Sequence, residues 1–218
     1  MKQLLKKIKL RLIDFGGYLI LFLQHIPSFG LPGGMTIPII MFFIALVLSS
    51  PLVVLNILGT ALLGSYFLIE KIIVLFGIIL FSYSYIYFRR MKKSVGLITT
   101  GPYKYIRHPQ YLGFLLITLG FTSWSYKIFR GSFGMPFCIF LCFLREYVPV
   151  VIWFIELFLY ILLASFEEWK LSKIFGTQFE DYRKNTSFLI PFIKTNQYIQ
   201  IFLSVLFLVM LLFYCMQL

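Results

Sequence analysis

Residues 36–63 contain no Asp, Glu, Lys or Arg over 28 consecutive positions. About 20 apolar residues suffice to cross the hydrocarbon core of a bilayer as a helix, so this run is long enough to span with tilt. Pro38 and Pro51 are the positions where it can kink. Similar stretches follow at 72–88, 148–166 and 198–216, with a shorter one at 111–126. Hydrocarbon offers the backbone no hydrogen-bonding partner, so apolar runs of this length read as helices that satisfy their own N–H and C=O groups. Composition agrees: 60% of the 218 residues are hydrophobic and 13% charged, against roughly 25% charged in a soluble domain. So few charges do not cover a water-facing surface, and so apolar a chain is not disordered. The expected fold is an all-α, multi-pass integral membrane protein with about five transmembrane helices.

The remaining segments follow from their periodicity and punctuation. Residues 1–14 put Leu4, Leu5, Ile8 and Leu12 near one helical face and lysines on the other, which suits a helix lying on an anionic leaflet. Residues 15–26 are apolar but short, interrupted by Gln24 and His25 and followed by Pro27, and read as interfacial or partly inserted. The run 133–144 is too short to span and contains Gly134 and Pro136, so it reads as re-entrant or interfacial. The chain thus divides into a basic amphipathic segment (1–34), two spans (35–93), a core with two polar segments around spans three and four (94–197), and a last span (198–218). The polar segment 167–197 is expected to be mostly helical and to lie on the cytoplasmic side between the last two spans.

Orientation comes from the charges. Lys and Arg number 20 against 8 Asp and Glu, a formal +12. The cations gather at 2–11, 89–107 and 170–194, at the ends of apolar runs. That is the positive-inside pattern and not a nucleic-acid surface. With a cytoplasmic N-terminus, five spans bring both 89–110 and 167–197 to the cytoplasmic face. Cys138, Cys142 and Cys215 have no His within sequence reach and at most one acid, Glu146, so they read as small apolar side chains and no metal site is expected.

Two stretches carry chemistry. The first is Thr100-Gly101-Pro102-Tyr103-Lys104-Tyr105-Ile106-Arg107-His108-Pro109-Gln110-Tyr111-Leu112-Gly113. It sets a guanidinium, an imidazole and several phenols just before a span begins. Pro109 disfavours helix at His108, so Arg107 and His108 are expected in an extended elbow. The second is Glu167-Glu168 at the end of the fourth span. Adjacent carboxylates at a membrane mouth repel one another and call for cations. Each stretch taken alone is also compatible with a headgroup-level anchor, of Tyr and Arg in one case and of Glu with Lys170 or Lys173 in the other. Glu156, in the middle of the fourth span, is a further candidate by depth.

Taken together, Arg107-His108-Pro109-Gln110-Tyr111-Leu112-Gly113, then Glu167-Glu168, Leu171, Phe175-Gly176, Phe179, Tyr182 and Ile190-Pro191-Phe192-Ile193-Lys194 form an ordered set. The set resembles the isoprenylcysteine carboxyl methyltransferase family, membrane enzymes related to phospholipid N-methyltransferases, over about residues 95–195. The resemblance implies transfer of a methyl group from S-adenosylmethionine to a lipophilic acceptor, most simply the carboxylate of an isoprenylated cysteine. It implies cofactor contacts from Tyr103, His108, Pro109, Tyr111, Leu112 and Gly113, and from Glu167 or Glu168 to the ammonium. A zwitterionic sulfonium calls for such a set of anions, a cation and aromatic faces, and Tyr105 offers one more face. An ionised carboxylate acceptor needs alignment and no base, and Arg107 is the first candidate for that cation, with Arg183 second. An amine acceptor would ask more of a Glu or His, and Glu167 stands among the candidate catalytic groups for that reason. The chain departs from the family pattern at Asn185-Thr186-Ser187-Phe188, where a basic residue is usual, and at Phe179, where Tyr is common. No glycine-rich E/DxGxG loop is present, so a soluble Rossmann-type methyltransferase is not supported. Two other readings stand beside this one: the same fold acting on a phospholipid amine or a small thiol, and a membrane scaffold or transporter subunit without catalysis.

Overall fold

A computed structural model describes residues 36–48, 68–91, 96–131, 139–191 and 196–217. Among these residues the chain is helical: α1 (Ile37–Leu48), α2 (Leu68–Met91), a 3-10 turn (Gly101–Lys104), α3 (Pro109–Gly131), α4 (Ile139–Phe175), α5 (Thr177–Asn185) and α6 (Gln197–Gln217). Among the described residues four segments are long and apolar enough to cross a membrane: Leu68–Met91, Pro109–Arg130, Glu146–Phe175 and Gln197–Gln217. They match the second to fifth expected spans. The first, expected over 36–63, is described only across α1, and the amphipathic segment 1–34 lies outside the described residues, as do Cys138 and Phe192-Ile193-Lys194.

Two boundaries differ from expectation. The marginal stretch 111–126 is part of a 23-residue helix. Thr118, Thr122, Ser123 and Ser125 lower its hydropathy, yet all four are fully buried, facing neighbouring helices and not lipid. Residues 139–144, expected in a re-entrant piece, instead open α4, a 37-residue helix that continues through Pro149. At 1.5 Å per residue α4 is about 55 Å long, well beyond a hydrocarbon core of about 30 Å. Its C-terminal turns therefore extend past the apolar run and carry Glu167 and Glu168 with them.

Helix α3 is the hub. It packs antiparallel to α2 and also against α1, α4 and α6. Leu115 and Leu119 meet Trp153 of α4 and Leu208 and Leu212 of α6 in a core that is completely closed at these positions. Phe42 of α1 packs on Phe121 and Trp124, with ring centroids at 5.2 and 5.5 Å. The α2–α3 crossing depends on small residues, as close helix pairs in membranes generally do. A Cβ on Gly113 would lie 2.7 Å from the Phe81 backbone nitrogen, and one on Gly77 would lie 2.7 Å from the Gly113 carbonyl oxygen. Both neighbours are backbone, so a methyl group there must push the helices apart. Gly113→Ala and Gly77→Ala are each expected to lose about 1–3 kcal/mol, the usual range for overpacking, read as a lowered melting temperature in detergent. An unchanged melting temperature would contradict the close crossing.

At one end of this pair the Lys127 ammonium pairs with the Glu70 carboxylate, and Ser123 Oγ donates to Glu70 at 3.1 Å. At the other end the α2 C-terminus, the α3 N-terminus, the α4 C-terminus and the α6 N-terminus converge, and there the two chemistry-bearing stretches meet.

Candidate functional site

Pro109 occupies the first position of α3, where a missing N–H is harmless and a fixed φ suits the helix. His108 stays outside the helix, and its carbonyl accepts from Leu112 N at 3.2 Å. The elbow before it is held by a short parallel pairing with the segment after α5. Arg107 N donates to Ser187 O (2.9 Å), His108 N to Phe188 O (3.3 Å) and Ser187 N to Tyr105 O (3.4 Å). That segment returns to the elbow because the chain turns at Gly176 between α4 and α5, with φ 52° and ψ −123°, a conformation open in practice to glycine. Tyr182 on α5 then donates its hydroxyl to Tyr103 O at 2.6 Å.

The Arg107 side chain is nearly inaccessible, and its guanidinium is heavily engaged. Nε donates to Glu168 Oε1 at 2.6 Å, Nη1 to the carbonyls of Arg183 (2.8 Å) and Thr186, and Nη2 to Gln200 Oε1 at 3.2 Å. Glu168, 2% exposed, also accepts from Gln197 Nε2 at 2.9 Å and lies 3.2 Å from His108 Nε2. Glu167 is placed differently, its side chain 46% exposed. It accepts from Tyr111 OH at 2.6 Å, and its Oε2 lies 3.7 Å from His108 Nδ1. The imidazole thus stands between the two carboxylates. It stacks on the Tyr111 ring at 5.4 Å with planes 5° apart and meets Phe188 edge-on at 5.2 Å.

These groups line one side of a cavity of about 450 Å³, within the range of small-ligand sites. Tyr103, Arg107, His108, Tyr111, Glu167, Glu168, Lys170 and Tyr182 form its polar part. Phe88, Leu97, Ile98, Leu171, Ile174, Phe175 and Phe179 form its apolar part. Burial pushes the Tyr103 and Tyr182 phenols above the ordinary tyrosine range, and the Glu167 carboxylate adds to the shift at Tyr103. Both stay protonated at physiological pH, so the Tyr182 hydroxyl keeps the proton it donates.

Of the residues named from sequence, Tyr103, Arg107, His108, Pro109, Tyr111, Glu167 and Glu168 come together at the cavity. Four others do not. Leu112 is buried in the helix core, and Gly113 faces α2, where its missing side chain serves the helix crossing. Arg183 does not line the cavity, and its guanidinium donates to Glu180 Oε2 at 2.6 Å and to Gln197 Oε1 at 3.1 Å. Tyr105 is 58% exposed on another face. Glu156 is buried at the middle of α4, outside the cavity wall. Arg107 reaches the cavity, but a guanidinium that already makes four hydrogen bonds is a poor aligner of an acceptor carboxylate. Its observed work is to join the elbow, α4, the α5 exit and α6.

Two residues outside both motifs, Gln197 and Gln200, reach the Glu168–Arg107 pair. Their only signal is two amides three residues apart at the start of an apolar span, a pattern shared by many helix ends at the headgroup level. Lys170, by sequence a partner for the glutamates, lies on the cavity wall.

Residues 57–146, under half of the chain, match a sequence model of the isoprenylcysteine carboxyl methyltransferase (ICMT) family. The matched region contains the whole Arg107–Gly113 motif and ends before Glu167. No curated protein and no solved structure matches the chain. The family match agrees with the resemblance read from the motifs and, with the four apolar helices, supports an integral membrane methyltransferase.

Proposed function

We propose that this chain transfers a methyl group from S-adenosylmethionine to the carboxylate of a lipophilic acceptor, of which an isoprenylated cysteine is the simplest example, at a site facing the cytoplasm. The observation that carries this reading is the single cavity wall shared by the Arg107-His108-Pro109 elbow and the Glu167-Glu168 pair, 60 residues apart in sequence. The donor set suits the cofactor: an accessible carboxylate for an ammonium, stacked His108 and Tyr111 rings for a cation or a base plane, and an apolar wall beside them. Bound S-adenosylmethionine would supply an electrophilic methyl group on a sulfonium.

The chain's own residues then have defined tasks. Glu167, with Tyr111 fixing one oxygen, accepts from the cofactor's ammonium. His108 and Tyr103 bound the polar end, and Pro109 shapes the turn between them. The apolar residues of α2, α4 and α5 hold the acceptor's hydrocarbon and keep water from the reacting atoms. Because an ionised carboxylate needs orientation and no base, Lys170 replaces Arg107 and Arg183 as the cation to align it. The engagement of Arg107 also gives weight to a second reading, an amine or thiol acceptor, for which Glu167 or His108 would take up the released proton.

Labelled methyl transfer separates the two. Membranes holding this protein are expected to pass label from S-adenosylmethionine to a lipid-extractable product, and alkali is expected to release it as methanol, since methyl esters hydrolyse. Alkali-stable label would sink the carboxylate reading in favour of an amine or thiol. No label above membranes lacking the protein would favour the scaffold reading.

A further inference from the structure

The two adjacent carboxylates at the site are built into opposite roles, and the last span decides which is which. Gln197 and Gln200 occupy the first turn of α6, three residues apart and so on neighbouring positions of one face. Gln200 is 2% exposed, too deep to serve as a headgroup anchor, and a buried amide in a membrane bundle is costly unless it is partnered. Its partner is Arg107, which has only N–H groups to offer, so Gln200 must present its oxygen. Gln197 is oriented just as firmly. Its oxygen accepts from Arg183, again a donor only, which turns its NH2 toward Glu168 Oε2 at 2.9 Å. Glu168 is therefore surrounded by Arg107, His108 and Gln197, while among the described residues Glu167 holds only Tyr111 within hydrogen-bond distance and stays 46% exposed.

We propose that Gln197 and Gln200 are positioning residues: with Arg107 they hold Glu168 as a carboxylate committed to the protein, and they leave Glu167 as the one presented to a cationic ligand in the cavity. The proposal rests on the methyltransferase reading for the identity of that ligand. It gives α6, which lies outside the family match, a part in the site beyond anchoring.

The opposite polarity of the two amides supplies the test. Glutamate is nearly isosteric with glutamine but only accepts when ionised. At position 200 it keeps the acceptor that Arg107 needs. At position 197 it removes the donor to Glu168 and sets a second carboxylate against it. Four variants, Gln197→Ala, Gln197→Glu, Gln200→Ala and Gln200→Glu, are compared in the full chain in detergent. Binding of S-adenosylhomocysteine is followed by calorimetry and unfolding by melting temperature. Both alanine variants are expected to bind roughly fivefold to tenfold more weakly than the parent, the order expected for losing one hydrogen bond of ordinary net strength, since neither amide touches the ligand itself. Gln200→Glu is expected to restore most of the affinity, to within about threefold of the parent. Gln197→Glu is expected to bind no better than Gln197→Ala. A role in packing alone would make the two glutamate variants behave alike, and equal behaviour at both positions would overturn the proposal. If the parent itself binds no S-adenosylhomocysteine, the methyltransferase reading fails. The melting temperatures then decide separately: Gln200→Glu above Gln200→Ala with Gln197→Glu below Gln197→Ala supports the opposed orientations, and any other order refutes them.

Discussion

Arg107→Ala is expected to destabilise the protein by about 3–5 kcal/mol, the range for removing one partner of a buried ion pair. Both side chains of the Arg107–Glu168 pair are 2% exposed, so solvent screening does not reduce the effect as it would at a surface. The substitution strands the Glu168 carboxylate beside Gln197 and His108, and it leaves the carbonyls of Arg183 and Thr186 and the Gln200 oxygen without their donor. Lysine is not expected to rescue. Its single ammonium cannot reproduce a planar fork that reaches a carboxylate, two carbonyls and an amide at once. Thermal unfolding in detergent checks both variants. A melting temperature close to the parent's for Arg107→Ala would show that the four hydrogen bonds do not stabilise the site, and full rescue by Arg107→Lys would show that charge alone suffices.

Glu167→Gln is expected to behave in the opposite manner. Its carboxylate is half-exposed and pairs with one phenol, so the unliganded protein should lose little, within about 0.5 kcal/mol as for an ordinary surface change. Binding of a cationic ligand should suffer far more. A hydrogen bond to a charged group contributes about 1.5–3 kcal/mol, which corresponds to a loss of affinity of roughly tenfold to a hundredfold. Glu168→Gln provides the contrast, since it unbalances the buried Arg107 and should lower the melting temperature first. If Glu168→Gln reduced binding without loss of stability while Glu167→Gln left binding unchanged, the assignment of the two carboxylates would have to be exchanged.

The sequence made most of this architecture legible, and the exceptions have physical causes. Long apolar runs mark α2, α4 and α6 because lipid-facing surface has to be apolar along its whole length. They understate α3, because hydropathy does not distinguish a polar side chain facing lipid from one facing another helix. Thr118, Thr122, Ser123 and Ser125 are of the second kind. The Arg107-His108-Pro109 elbow and the Glu167-Glu168 pair were legible as motifs. The task of Arg107 was not, because its partners include backbone carbonyls 76 and 79 residues away, and backbone groups leave no trace in residue identity. Gly113 stands in the motif as an implied cofactor contact, and only packing shows that what lies against it is α2.

The central claim is that the cavity between the α3 elbow and the α4 extension holds S-adenosylmethionine. Calorimetric titration of the purified parent with S-adenosylhomocysteine, beside Glu167→Gln, tests it most directly. The account predicts saturable binding with a dissociation constant on the order of micromolar, about 8 kcal/mol, weakened at least tenfold in the variant. No heat of binding in the parent, or equal affinity in both proteins, would contradict it.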